Sequence, residues 1–299
     1  MGGKICGLCP KIDYFVKILL TGGTGFIGNH VVKELLKKGI HVVASSRNQE
    51  KAQNMSWFQQ VEYVQQTIGI PLTNEFKTAI QQVDVCIHLA WDGLPDFRSE
   101  LHTTTYLSNH FEFLKELIQL GIPKLSVIGT CLEYGLQEGE LSEDIETAPI
   151  IAYGIGKDQL RKQLQALLYE YTFELDWIRL FYMYGDGQHP KSILPLLNAA
   201  IENNELIFNM SNGNQKRDYL SVEQIAKNII NLACLKEGNG IVNCCSGQPI
   251  QIFDLVKNYL KESKSTIELN TGFYDYPDYE PFSFWGSTKK MNKLIDGRV

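Results

Sequence analysis

Tyr153 and Lys157 stand one helical turn apart in "AYGIGK" (152–157). In a helix that spacing puts both side chains on one face. A phenol beside an ammonium ionises more readily, because the positive charge stabilises phenolate. Such a tyrosine can give or take a proton near neutral pH. The same pair is also common on ordinary surface helices, so it needs company to mean chemistry. Thr130 provides it, at the end of the apolar run "KLSVIGT" (124–130). The ends of parallel strands are where ligands sit in open α/β sheets. A threonine hydroxyl there can bind the same oxygen that the tyrosine protonates. The three residues together suggest proton transfer at a hydroxyl or ketone.

A second motif says what accompanies the proton. "TGGTGFIG" (21–28) follows the run "VKILLTG" (16–22) and opens a helical stretch, with Gly22, Gly25 and Gly28 in GxxGxxG spacing. Glycine allows the tight turn and lets the backbone approach a pyrophosphate. The helix start, with the N–H groups of Phe26 and Ile27, presents a positive dipole end. A strand before, a helix after and a further strand beyond them make this a dinucleotide-binding turn rather than three incidental glycines. That further strand is "HVVAS" (41–45), and it runs into Ser45, Ser46 and Arg47. An NAD site would place a carboxylate there for the ribose hydroxyls. Small hydroxyls and an arginine fork suit a 2′-phosphate instead. The expected cofactor is therefore NADP (NADPH), with NAD the alternative.

These groups need a frame. Near-continuous apolar runs at 16–22, 41–45, 61–64, 83–90, 124–130 and 175–181 alternate with helical stretches at 26–38, 99–120 and 153–171. Runs of that kind are strands buried on both faces. Their alternation with helices predicts an α/β fold with a doubly wound parallel sheet. After residue 180 helical pieces (191–203, 222–235, 251–262) mix with short strands (205–208, 240–245, 266–269) and an aromatic tail. The expected division is an N-terminal extension at 1–15, a dinucleotide-binding domain at 16–180 and a smaller, mainly substrate-binding lobe at 181–299.

The 299 residues are 44% hydrophobic, enough for a packed core, and the net charge is -6. No basic stripe favours nucleic acid. No apolar run approaches the roughly 18 residues of a membrane span. The N-terminus lacks the apolar centre of a signal peptide, and Cys6 stands where a myristoylation signal has Ser or Thr. Seven scattered cysteines disfavour a disulfide framework. Cys6 and Cys9 have CxxC spacing, but no second ligand pair follows, so no metal is expected. The composition fits a cytoplasmic enzyme.

"TGGTGFIG", "VDVCIHLA", "GTCLEYG", the Tyr153–Lys157 pair, "IRLFYMYG" (178–185) and "RDYLSVEQIA" (217–226) together resemble the extended short-chain dehydrogenase/reductases. That family holds nucleotide-sugar epimerases, dehydratases and reductases, and the resemblance spans roughly residues 16–295. It implies a Rossmann-type domain for NAD(P) and a C-terminal lobe for a nucleotide-diphosphate sugar. It implies that Tyr153 is the acid/base, that Thr130 orients the reacting oxygen, and that Lys157 lowers the tyrosine pKa and binds the nicotinamide ribose. Leu89 and Ala90 match the loop that passes the cofactor, Arg217 the arginine that meets a substrate phosphate. A homodimer through the helices at 99–120 and 153–171 is also implied.

The departures from the family pattern narrow the reading. Dehydratases carry Asp-Glu after the active-site threonine, and here Cys131 and Leu132 stand there. Many members have Asn where this chain has Tyr182, so its substrate-phosphate contacts are expected to differ. The third strand lacks its usual Asp, leaving Gln66 or Thr67 to substitute. An NADP-like strand end and missing dehydratase acids both favour net reduction. The "HLAWDGLPDFRS" and "GTCLEYG" stretches further resemble enzymes that reduce nucleotide-activated 4-keto-6-deoxyhexoses. NADPH-dependent reduction of such a sugar is the expected activity. An NAD-dependent nucleotide-sugar 4-epimerase is the first alternative, a non-catalytic NADP-sensing protein the second. The tail "FYDYPDYEPFSFW" (273–285) either closes over the substrate or packs the small lobe.

Overall fold

The computed structural model describes residues 16–297, so Cys6 and Cys9 lie outside the described residues. The first half alternates strand and helix, as its apolar runs require. β1 (Lys17–Thr21), α1 (Phe26–Lys37), β2 (His41–Ser46), α2 (Gln49–Gln53), β3 (Glu62–Gln65) and α3 (Asn74–Ala79) come first. β4 (Val85–His88), α4 (Thr105–Gln119), β5 (Lys124–Thr130), β6 (Gly139–Leu141), α5 (Ala152–Leu167) and β7 (Glu174–Leu180) follow. The second half holds β8 (Tyr182–Tyr184), α6 (Ile193–Glu202), β9 (Ile207–Asn209), β10 (Lys216–Ser221), α7 (Val222–Ala233) and β11 (Gly240–Cys244). It ends with β12 (Pro249–Gln251), α8 (Ile252–Ser263), β13 (Glu268–Asn270), β14 (Phe284–Gly286) and α9 (Lys289–Asp296).

Seven strands form one parallel sheet in the order β11-β7-β5-β4-β1-β2-β3. The order reverses between β1 and β4, which opens a crevice at the C-terminal strand ends. Strand residues alternate between two apolar layers. Ile18 and Leu20 join Val32 and Leu35 of α1 and Ile229 of α7 on one face. Leu19 joins Phe76 of α3, Leu114 of α4 and Leu164 of α5 on the other. Both faces are covered, so period-two polarity is lost and the strands read as unbroken apolar runs.

The smaller lobe is not a clean chain segment. Strand 240–245 and helix 222–235 were expected in it, and both return to the large sheet. β11 extends the sheet beyond β7, and α7 packs beside α1. The reason is apolar area. Ile225, Ala226, Ile229 and Ile230 of α7 and Val242 of β11 cover Ile178 and Leu180 of β7, which would otherwise face water. What remains is a three-stranded sheet, β12-β10-β8, and the pair β13-β9. α6 and α8 enclose Leu197, Ile252 and Val256 against Phe208 and Met210. β14 of the tail pairs with β6, so the tail is tied back beside the end of β5. Among the described residues no helix is long and apolar enough to cross a membrane.

Ile229→Ala tests this interleaving. It should destabilise the whole protein by about 3 kcal/mol, as buried large-to-small changes do. Thermal unfolding should show one transition moved down. Two transitions, with only one displaced, would mean that α7 belongs to a separate unit.

Candidate active site

The glycine turn joins β1 to α1 and is too tight for side chains. Gly22 has φ +76°, and a Cβ there would lie 2.8 Å from the backbone nitrogen of Ala90. A Cβ at Gly28 would lie 2.1 Å from the carbonyl oxygen of Gly22. The Gly25 amide donates to that oxygen at 2.9 Å, and Gly25 caps α1 without a side-chain hydrogen bond. The first-turn amides of α1, those of Phe26 and Ile27 among them, therefore lack intrahelical partners. The β4 loop runs close above, with the Leu89 amide donating to the Thr21 carbonyl at 3.3 Å. A turn emptied of Cβ atoms at an uncapped helix start fits a dinucleotide pyrophosphate.

The end of β2 is less open than its sequence suggests. Ser45 and Ser46 are buried, and the Ser46 hydroxyl is hydrogen-bonded to the Tyr63 phenol at 3.0 Å. Arg47 alone projects, its side chain 69% exposed, and its guanidinium is paired with Asp92 from the β4 loop. Gln66 does not serve as a stand-in for the missing β3 acid. It is buried, its amide donating to the Thr67 carbonyl at 2.8 Å and accepting from the Thr73 amide at 3.2 Å, so it is spent on its own loop.

β5 and α5 bring Thr130 and Tyr153 together, near enough for Thr130 to act on the phenol. The Tyr153 ring lies among Trp91, Phe97 and His102, at centroid distances of 6.1, 5.6 and 5.4 Å. Burial pushes its phenol up, the nearby Glu133 carboxylate and Cys131 add to the rise, and Thr130 opposes it. Lys157 does not point at the phenol. Its Nζ donates to the Ile128 carbonyl at 2.7 Å and lies 4.2 Å above the Trp91 ring. The expected lowering of the tyrosine by the lysine is not among the influences on the phenol, which burial dominates. Tyr153 stays protonated at neutral pH in this arrangement. Burial lowers Lys157 itself to about 7, with Glu133 opposing the shift.

Glu133 is the residue that sequence reasoning missed. It has no solvent exposure. It accepts from the Thr130 amide at 2.9 Å, the Trp177 indole at 3.0 Å and Arg179 Nε at 2.7 Å. Thr130 and Glu133 form a capping box on the turn after β5. The signal was present, since T-x-x-E in "TCLE" is the sequence form of that box. Cys131, beside it, is no base: burial and then the Glu280 carboxylate raise its thiol.

Tyr182 and Arg217 meet, but around a carboxylate. Glu280 of the tail accepts from the Tyr182 phenol at 2.5 Å and from Arg217 Nη2 at 2.8 Å. The Arg217 side chain is only 3% exposed and lies against the rings of Tyr182 and Phe284. Asp278 of the same tail pairs with Arg98 at 2.7 Å, and a cavity lined by Arg98, Ile151, Ala152, Asp278 and Tyr279 opens there. The tail therefore bridges the β4–α4 loop and the small lobe, with Phe284 buried and Phe273 and Tyr274 exposed.

A parallel dinucleotide sheet with a Thr–Tyr–Lys set at its crevice is the frame of one enzyme class, and comparison with known proteins agrees. Residues 18–245 match the "NAD dependent epimerase/dehydratase family". The dTDP-6-deoxy-L-talose 4-dehydrogenase (NAD(+)) of Aggregatibacter actinomycetemcomitans is 30% identical over 91% of this chain and 100% of its own length. The dTDP-4-dehydro-6-deoxyglucose reductase of Escherichia coli is 25% identical over 86% of this chain and 84% of its own. The UDP-glucuronic acid 4-epimerase of Bacillus cereus, solved with UDP-glucuronic acid and NAD, superposes with a TM-score of 0.77 at 23% identity, over 94% of this chain and 93% of that one. This chain belongs to the NAD-dependent epimerase/dehydratase family, within the extended short-chain dehydrogenase/reductases.

The depressed Lys157 makes a test of its burial. Unfolded lysine holds its proton to about pH 10.4, so between about 7 and that value the unfolded chain binds more protons and stability rises with pH. Lys157→Met removes the buried ammonium and should raise Tm most at pH 6.5. The gain should shrink as pH climbs towards 10. A gain independent of pH would contradict the burial of a titrating lysine.

Proposed function

We propose that the protein reduces the 4-keto group of a nucleotide-activated 4-keto-6-deoxyhexose with NADPH. The carrying observation is the Thr130–Tyr153 pair, whose phenol is held protonated by burial and by Glu133. That is the state an acid needs to protonate an alkoxide. A bound nicotinamide supplies the hydride. The chain's own residues do the rest. Thr130 and Tyr153 hold one substrate oxygen, and Tyr153 gives it a proton as negative charge develops there. Gly22, Gly25, Gly28, Leu89 and Ala90 leave room for the cofactor backbone, and Lys157 follows Tyr153 on the same helix to hold the ribose. Arg47 reads the 2′-phosphate. Leu132 cannot move a proton and the Cys131 thiol is raised, which disfavours elimination of water. Arg217 and Tyr182 bind the substrate diphosphate once Glu280 gives way.

The names of the two sequence relatives, a 4-dehydrogenase and a reductase of dTDP-activated 6-deoxysugars, support chemistry at carbon 4. An NAD-dependent 4-epimerase is the second reading, favoured by the Asp92 carboxylate that already occupies Arg47. The reading includes a cytoplasmic homodimer built through α4 and α5.

The test is NADPH oxidation against dTDP-, UDP-, GDP- and CDP-4-keto-6-deoxyhexoses, with product stereochemistry by NMR. One of these sugars should be turned over, and Tyr153→Phe should lose about 10²- to 10⁴-fold in kcat. Stoichiometric bound NAD with no net turnover would favour the epimerase. An unchanged rate in Tyr153→Phe would remove Tyr153 from the chemistry.

A further inference from the structure

Asp92 brings a carboxylate to the end of β2, where β2 itself carries none. It comes from the loop after β4, yet its carboxylate meets Arg47 at the end of β2. It is anchored from the core side. Its Oδ2 lies 3.7 Å from Nε2 of His110, a fully buried residue of α4. His110 Nε2 makes no hydrogen bond within the described residues. Behind it, His110 Nδ1 and His88 Nε2 are 2.8 Å apart, and His88 Nδ1 and the Thr21 hydroxyl 2.9 Å. Trp91 stacks on His110 at 4.6 Å. This row leads from the glycine turn to within 3.7 Å of the Asp92 carboxylate. Burial holds both histidines below the usual imidazole range, so Arg47 is the cation that answers Asp92. Asp92 is the more sheltered member of the pair, and the 69% exposed Arg47 is the more movable one.

A dinucleotide laid on the glycine turn brings its adenosine ribose to the end of β2. We propose that Asp92 is a cofactor-specificity residue, opposing the 2′-phosphate that Arg47 attracts. A ribose with a free 2′-hydroxyl leaves the Arg47–Asp92 pair intact and can donate to the carboxylate. A 2′-phosphate draws Arg47 away and then lies beside an uncompensated negative charge. The preference between NADP and NAD is the balance of the two residues, not a property of β2 alone. The proposal rests on the dinucleotide part of the functional reading and needs nothing of the sugar.

The experiment measures binding of NADPH and of NADH, without sugar, by nicotinamide fluorescence. Wild type, Asp92→Asn, Asp92→Ser, Asp92→Glu and Arg47→Ala are compared at low salt and at about 0.5 M salt. Asp92→Asn and Asp92→Ser should each shift the Kd ratio towards NADPH by about tenfold, the scale of one like-charge contact at a protein surface. Added salt should shrink the shift. Asp92→Glu should keep the wild-type ratio. Arg47→Ala should move the ratio the other way. If both neutral variants change the two affinities equally, or move the ratio towards NADH, the proposal is overturned. A selective loss of NADPH in Arg47→Ala with no shift in the Asp92 variants removes the role of Asp92 and leaves the 2′-phosphate reading standing. A shifted ratio in an enzyme that reduces no 4-keto sugar sinks the reductase reading alone.

Discussion

A carboxylate with no exposure to water, that of Glu133, sits beneath Thr130 and Tyr153, and much of the candidate site depends on it. Burying Glu133 is tolerable only because donors surround it: the Thr130 amide, the Trp177 indole and Arg179 Nε, with Arg161 Nε at 3.8 Å. The donors come from β5 and β7, and the Arg161 guanidinium of α5 adds an ion pair, so one charge ties the strand that ends in Thr130 to the helix that carries Tyr153 and Lys157. The same charge acts through space. It raises the Tyr153 phenol and opposes the fall of Lys157. A protonated acid beside a lysine near its titration point is the outcome.

The sheet supplies the other constraint. Because β1 and β4 lie side by side where the strand order reverses, the glycine turn and the Leu89–Ala90 loop are forced into contact. Gly22 meets the Ala90 backbone at a distance no Cβ tolerates, and the helix start it feeds is left uncapped. Across the crevice, β8 and β10 place Tyr182 and Arg217 side by side, and the tail lays Glu280 on both. In the proposed reading, that carboxylate holds the place a substrate diphosphate would take. Arg47 and Arg217 thus share one arrangement, an arginine paired with an aspartate or glutamate from a distant loop.

The sheet was legible because strands buried on both faces leave unbroken apolar runs. The edges of β5 were read to the residue, and "TGGTGFIG" was placed where the turn lies. β11 was misplaced because a short apolar strand carries no mark of which sheet it will join. Only the uncovered flank of β7 decides that. The Thr130, Tyr153 and Lys157 positions were readable from spacing, but the aim of the Lys157 ammonium was not, since it depends on the Trp91 face and the Ile128 carbonyl. Glu133 was visible as a capping-box partner and passed over. The partners of Arg47 and Arg217 could not be read at all. Asp92 and Glu280 reach them from other elements, and no local pattern records such a meeting.

The central claim is that hydride and proton meet at the ketone held by Thr130 and Tyr153. Reduced nicotinamide cofactor carrying deuterium at the transferable position tests it most directly, supplied with a nucleotide-activated 4-keto-6-deoxyhexose. The account predicts a product with one deuterium on the former ketone carbon and none elsewhere, read by NMR and mass spectrometry. An unlabelled product, or deuterium that stays on the cofactor while the sugar is epimerised, would contradict it.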